Sequence, residues 1–304
     1  MSAIISVVIC THNPRIDYLD RVLKSLKFQT LPVEYWELLM IDNASKKILS
    51  KEIDLSWHPQ SRHIREEQLG LTPARLRGIK EAIAETLVFV DDDNVLDSDY
   101  LEVALQISNN YPFIGAWGGQ SLPEFEQTPP EWTKPYWWML AIRELNRDQW
   151  SNLLLCYETA PVGAGMCVRK VVAQKYAELA LNNLKRANLD PKGKQLLRAG
   201  DNDLAFTSCD VGLGTGVFVS LKLTHLIPAN RLQEEYLLRL AEGIGYSKTI
   251  MESLRGTTPT VPKLSLMRKI LEYYRLSRMD STSKRFYQAF SKGKVLAIQE
   301  LKFC

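Results

Sequence analysis

The sequence predicts an α/β protein with a mostly parallel central sheet flanked by helices and a helical C-terminal extension. Three observations carry this. Short apolar, β-branched runs alternate with segments of helical period, the pattern of parallel strands joined by right-handed crossovers. Three of the strand-like stretches end in polar residues, at Thr11, Asp42 and Asp91, and open α/β sheets bind ligands beyond the carboxyl ends of their strands. Finally, the chain from about Arg231 onward reads as a long helical stretch.

The elements follow in order. Ile4-Ile5 and Val7-Val8-Ile9 form a continuous apolar run, as expected for a strand buried on both faces. Thr11-His12-Asn13-Pro14 breaks it, and Leu19, Val22, Leu23 and Leu26 then fall at helical spacing. A second strand is expected over residues 36–41, a helix over 72–85, and a short buried strand at Leu87-Val88-Phe89-Val90 before Asp91-Asp92-Asp93. Residues 122–150 hold several prolines with Trp132, Trp137, Trp138 and Trp150, and read as an irregular segment around a cleft. Residues 161–168, with Gly163 and Gly165, read as a small-residue strand, and helices are expected over 171–184 and 203–209. One catalytic domain over 1–250 and a basic helical extension over 251–304 describe this organisation.

Composition narrows the class. The 304 residues are 45% hydrophobic and 24% charged, as in an ordinary soluble domain. No apolar run approaches the roughly 20 residues of a membrane span. The N-terminus has no basic stretch or cleavage site of a signal peptide, so a cytoplasmic location is expected. Five cysteines without CxxC spacing read as reduced structural thiols. A net charge of +3 is too mild to predict a nucleic-acid partner. Residues 262–304 carry ten Lys/Arg and three Asp/Glu, a charge of +7, leaving −4 for the rest. Such a tail can touch anionic lipid on the inner membrane face, although a solvated helix face explains it as well.

Several polar groups can carry chemistry. Two carboxylates at i and i+2 just past a strand, as in Asp91-Asp92-Asp93, suit a hard divalent cation that bridges phosphates; an acidic turn is the plainer reading. Asp42 can accept from the N–H edge of a base, or simply close a turn. In Gly70-Leu71-Thr72-Pro73-Ala74-Arg75, Thr72 suits a cap and Pro73 a first helical position, and a helix N-terminus beside arginine favours diphosphate. Asp201 or Asp203 can take a proton from an acceptor hydroxyl, while Asp203 or Asn202 can cap the following helix. His225, as a further metal ligand, would favour manganese over magnesium.

Taken in this order, these residues resemble the inverting family-two glycosyltransferases, which have the GT-A nucleotide-diphospho-sugar transferase fold. The resemblance runs from about Ile4 to Ser247. Val7 through Asn13 is similar to that family's opening strand and nucleotide loop, with Thr11 and Asn13 facing the donor. Asp42-Asn43-Ala44-Ser45 is similar to its base-reading turn, and Gly70, Ala74, Arg75 and Gly78 match its Gly-x-x-x-Ala-Arg-x-x-Gly element. Val90-Asp91-Asp92-Asp93 resembles its Asp-x-Asp motif. The resemblance implies that Asp91 and Asp92 lie on the donor, Asp93 and His225 hold the metal, Gly165 lies under the donor sugar and Arg231 touches diphosphate. Asp201 then stands where the family has its general base. Two departures are Gly200, where that family usually has an acidic residue, and Arg77, where asparagine is commoner nearby.

The resemblance implies a single in-line displacement from a nucleotide-diphosphate sugar, with UDP the expected nucleotide, onto a saccharide or lipid-linked acceptor, assisted by a divalent metal. The tryptophans of residues 132–138 are expected to stack on acceptor sugar. A nucleotidyltransferase would use a similar sheet, but no Gly-rich loop followed by lysine appears near the first strand. A non-catalytic nucleotide-sugar-binding protein would need Asp42 and Asp93 but no base.

Overall fold

A computed structural model describes residues 3–190, 196–259, 270, 274 and 276–302. Strands β1 (Ile5–Thr11), β2 (Trp36–Asn43), β3 (Ser61–Glu66) and β4 (Thr86–Asp91) lie parallel in the order β3-β2-β1-β4. The sheet continues through β8 (Cys167–Arg169), β6 (Ile114–Phe125), β9 (Gly214–Ile227) and β5 (Asn94–Leu96), with β7 (Gln149–Ser151) also on β9. The parallel pairings form the long ladders, and the antiparallel ones run for two or three residue pairs.

Both faces of the sheet are covered, which explains the unbroken apolar runs. Side chains alternate across a strand, so Val7 faces one core and Val8 the other. On the Val7 face pack α1 (Ile16–Lys27) and α3 (Tyr100–Asn110). On the Val8 face pack α2 (Leu71–Glu81), α4 (Lys170–Leu181) and α6 (Gly200–Asp210), with the short α5 (Leu184–Ala187) following α4. A third core joins α7 (Glu234–Leu254) to α8 (Ser281–Lys302). A Cβ on Gly293 of α8 would collide with the Glu242 carbonyl, so this glycine lets the two helices approach closely.

Several expected elements differ. β6 and β9, the two longest strands, lie where no strand is expected, because Gly115, Gly118, Gly119 and Pro123 hide β6, and Gly214 and Gly216 open β9. β3 is a polar edge strand in which only Ile64 is fully buried. Of residues 161–168 only the end is strand; Gly165 has φ +68°, the left-handed region, which breaks an extended chain. Helix α2 begins at Leu71 and ends at Glu81, with Gly70 at the N-cap instead of Thr72. Helix α6 begins at Gly200, so Asp203 and Asn202 lie inside it and neither caps it.

Cys10, Cys156, Cys167 and Cys209 are free thiols. Among the described residues no helix is long and apolar enough to cross a membrane. Much of the basic segment 262–304 lies outside the described residues; α8 is its main described part.

Candidate active site

The ends of β1, β2 and β4 form the floor of the site. Their register pairs Thr11 with Asp42 and Cys10 with Asp91. The chain then turns through Asp92 and Asp93 into β5, whose antiparallel pairing sets Asn94 opposite His225 of β9. That pairing brings His225 to Asp93, with Nε2 3.4 Å from Oδ1. Beyond β9, Pro228 leads into a short 3-10 turn, Ala229–Leu232, from which Arg231 reaches Asp93 Oδ2 at 3.0 Å. Asn94 donates to Asp93 Oδ1 at 3.0 Å.

Charge is crowded here. Burial works against the Asp93 carboxylate, yet His225 and Arg231 hold its pKa well below the usual carboxylate range. Burial and the charge of Asp93 push Asp91 up, and push Asp92 up to about 7, although the Thr11 hydroxyl donates to Asp92. Arg75, His225 and Arg198 only partly offset this at Asp91, and Arg231 does so at Asp92. Among the described residues no group of three or more His, Cys, Asp and Glu side chains is arranged to hold a metal ion. Asp93 and His225 are close enough for one cation to touch both, leaving other positions to phosphate oxygens and water. The buried His225 Nδ1 has no hydrogen-bond partner among the described residues.

Across the site, Asp201 stands in the first turn of α6. Its carboxylate accepts from the Gly163 N–H at 3.0 Å and the Asn202 N–H at 2.8 Å. A Cβ at Gly163 would lie 2.9 Å from the Arg75 guanidinium and 3.3 Å from Asp201, so only glycine lets both groups close in. Burial raises the Asp201 pKa, and Arg75 opposes the shift. Arg75 is itself buried and pairs with Asp190 at 3.1 Å, which also accepts from the Thr72 hydroxyl at 2.9 Å. A side chain at Gly200 would collide with the Asp190 carboxyl. The Asp190 carboxyl thus lies directly against Gly200.

Other expected residues separate into two groups. Asn13 ties the loops after β1 and β2 together: its N–H donates to Ser45 Oγ and its Oδ1 accepts from the Lys46 N–H, each at 2.9 Å. Asp42 is turned into its own loop, accepting from the Ser45 and Leu49 N–H groups at 3.1 Å and from Arg65 at 2.8 Å. A cavity of about 270 Å³ opens beside it at the start of α2, lined by Thr11, His12, Asn43, Gly70 and Leu71. Asn43, not Asp42, faces that cavity. Gly165 packs under the sheet with its carbonyl on the Tyr100 hydroxyl at 2.6 Å. Asp203 is fully buried and bound by Arg186 at 3.0 Å and Arg255 at 2.8 Å, so it takes no part in proton transfer at a cleft.

The sequence reading does not single out three groups. Asn43 belongs to the turn that resembles a base-reading one, but that reading gives the base contact to Asp42, and Asp190 carries no distinguishing local pattern. Arg198 lies three residues before Asp201, within electrostatic reach of Asp91, Asp93 and Asp201, and spacing alone did not separate it from the other arginines. Arg77 is spent on Glu81 at 3.0 Å. Of the tryptophans, Trp137 is packed away, its ring 4.8 Å from that of Phe125 and its N–H on Thr133. Trp138 is instead half exposed on a cavity of about 330 Å³ that Asp201 also lines.

Comparison with known proteins adds to this geometry. The family model described as "Glycosyl transferase family 2" matches residues 6–163. A glucosyl-dolichyl phosphate glucuronosyltransferase of Haloferax volcanii is 23% identical over 144 residues, 46% of this chain and 45% of that protein. An uncharacterized glycosyltransferase of Rickettsia conorii is 30% identical over 111 residues, 36% of this chain and 18% of that protein. The matched region is therefore less than half the length of either relative. Among solved structures, S. aureus TarS 1-349 superposes with a TM-score of 0.51 at 15% identity, covering 97% of this chain and 83% of that one. Its complex with UDP-GlcNAc gives 0.51 at 12% identity, covering 98% and 91%. At such identities these likenesses establish the GT-A fold.

Proposed function

The chain belongs to glycosyl transferase family 2, and from that membership we propose that it moves a sugar from a UDP-sugar to an acceptor hydroxyl with inversion at the anomeric carbon. The observation that carries this reading is the pairing of two opposed groups. Asp93, with His225 and Arg231, lies at the ends of the strands, and the partly buried Asp201 lies across from it on α6. Arg75 and Arg198 are electrostatically coupled to both sides.

In the proposed step Asp201 accepts the proton of the acceptor hydroxyl, and that oxygen attacks the anomeric carbon as its bond to diphosphate breaks. Gly163 and Asn202 fix the carboxylate by their N–H groups. Arg231 receives the negative charge left on the diphosphate. A divalent cation, held by Asp93 and His225, would offset the same charge, and an imidazole ligand favours manganese over magnesium. The cavity at the start of α2 takes the base, walled by Asn43 and His12, with Asp42 holding the loop that shapes it. Thr11, Asp91 and Asp92 flank the ribose and phosphates.

The acceptor is proposed to be a saccharide or a lipid-linked saccharide. Support for the second comes from the name of the Haloferax relative, which acts on glucosyl-dolichyl phosphate. The test is a donor panel. UDP-, GDP- and dTDP-sugars are added one at a time with manganese or magnesium, and thermal shift and nucleoside diphosphate release are recorded. One UDP-sugar should stabilise the protein in a metal-dependent way that Asp93→Ala abolishes. Response to a nucleoside triphosphate alone, with pyrophosphate released, would replace this reading with nucleotidyl transfer. Donor binding without turnover under any acceptor would leave a nucleotide-sugar-binding protein.

A further inference from the structure

The cavity of about 330 Å³ beside Asp201 is at the small end of ligand pockets, which span about 300–1,000 Å³. Its size suits one or two sugar residues. Trp138 offers a half-exposed aromatic face, and Ile142, Val162, Ile244 and Met251 complete an apolar wall. Three cations also line it, Arg143, Arg198 and Lys248, against a single acidic side chain among the described residues, Asp201.

The protein matches these cations only at a distance or in part: Arg198 lies within electrostatic reach of Asp91, Asp93 and Asp201, Arg143 of Glu158, and Lys248 of Glu252. Arg198 Nε is buried with no hydrogen-bond partner among the described residues. Arg143 donates to the carbonyl oxygens of Glu158 and Ala160, which satisfies its N–H groups without cancelling its charge. Burial lowers its pKa, and the charge of Glu158 opposes the shift only in part. Lys248 sits 4.0 Å over the Tyr157 ring and 3.8 Å from Glu252, and that same Glu252 oxygen takes the Tyr157 hydroxyl at 2.8 Å. Lys248 is thus only partly neutralised. A cavity lined by both an aromatic face and cations fits a sugar ring that carries an anionic substituent.

We propose that the acceptor is an anionic saccharide, one whose ring stacks on Trp138 while its phosphate or carboxylate meets Arg198 and Lys248, so that a neighbouring hydroxyl reaches Asp201. This rests on the glycosyltransferase reading. It adds the chemical class of acceptor, which that reading leaves open.

The experiment uses the full chain saturated with UDP and manganese, so that the donor's phosphate positions are filled. Calorimetry then measures binding of glucose 6-phosphate, glucuronate and methyl glucoside. At least one anionic sugar should bind about tenfold or more tightly than the neutral glucoside, the size of one charge-assisted contact. Arg198→Gln and Lys248→Met should each remove most of that preference, and Trp138→Ala should weaken all three sugars. The two anionic probes separate phosphate from carboxylate. Equal binding of neutral and anionic sugars, a preference that survives both charge substitutions, or no sugar binding while UDP still binds would overturn the acceptor class alone. Failure of UDP itself to bind would remove the underlying reading, and this proposal with it.

Discussion

At the scale of single residues, the proposed chemistry turns on Asp201. It was legible in the sequence as a carboxylate near a helix start, but its partners were not. Gly163 comes from the loop before β8 and Arg75 from α2, while Asn202 follows Asp201 in α6; burial raises the Asp201 pKa while Arg75 resists. The general base must be ionised, so activity is lost as pH falls through this raised value. The acidic limb of kcat/KM should therefore lie above the roughly pH 4 expected of a free aspartate. Arg75→Gln should move that limb further up. Asp201→Asn should lower kcat by about 10²–10⁴-fold, the usual contribution of general-base catalysis, with UDP affinity retained. A limb at the free-aspartate position, or near-normal turnover in Asp201→Asn, would assign the base elsewhere. Gly200 illustrates the opposite case: a residue that looked like a departure leaves room for Asp190, which no local signal marked.

At the scale of elements, α6 carries the proposed base and a structural carboxylate two residues apart in its first turn. Sequence alone made Asp201 and Asp203 interchangeable, since both precede a helix-like run. Their environments separate them: Asp201 faces a cavity, while Asp203 is enclosed by Arg186 of α5 and Arg255 just past α7. Removing one partner of a buried ion pair strands the others. Asp203→Asn should cost about 3–5 kcal/mol in urea unfolding. The surviving folded enzyme, assayed at low temperature, should keep its donor affinity. A destabilisation below about 1 kcal/mol, the level of an exposed pair, would show that the cluster does not lock α6 to its neighbours. The long strands β6 and β9 are the elements that the sequence hid best. Their glycines and Pro123 imitate loop, yet β6 and β9 pair along most of their length.

At the scale of the molecule, the basic C-terminal segment is divided. Part of its charge is spent within the fold, with Arg285 on Glu234 at 2.6 Å and Lys292 on Glu242 at 2.9 Å. Lys284 and Lys294 on α8 are exposed. If the segment draws the protein to a membrane where a lipid-linked acceptor lies, the full chain should co-sediment with anionic vesicles and not with neutral ones. Each surface lysine near anionic lipid is worth about 1 kcal/mol, so the Lys284→Glu/Lys294→Glu double variant should reduce that binding at least tenfold. Negligible binding by the unaltered chain would end the idea. Deleting the segment is a poorer test, because α8 covers the apolar face of α7.

By itself the sequence determined three of the parallel strands, β1, β2 and β4, and the carboxylates that stand at the ends of β2 and β4. β1, β2 and β4 are buried on both faces, so their apolar runs are continuous, and each run must stop where the chain meets polar surroundings at the site. Tertiary structure alone decided which of those polar groups meet. Asp93 joins His225 only because β5 pairs with β9, and Arg231 joins them only because the chain turns after Pro228. Asp42 turns into its loop because Arg65 on β3 claims it, and Trp138 faces the Asp201 cavity while its neighbour Trp137 packs on Phe125. Local periodicity fixes where a strand or helix lies. Contacts between residues distant in sequence depend on how the elements pack, and no local pattern encodes that.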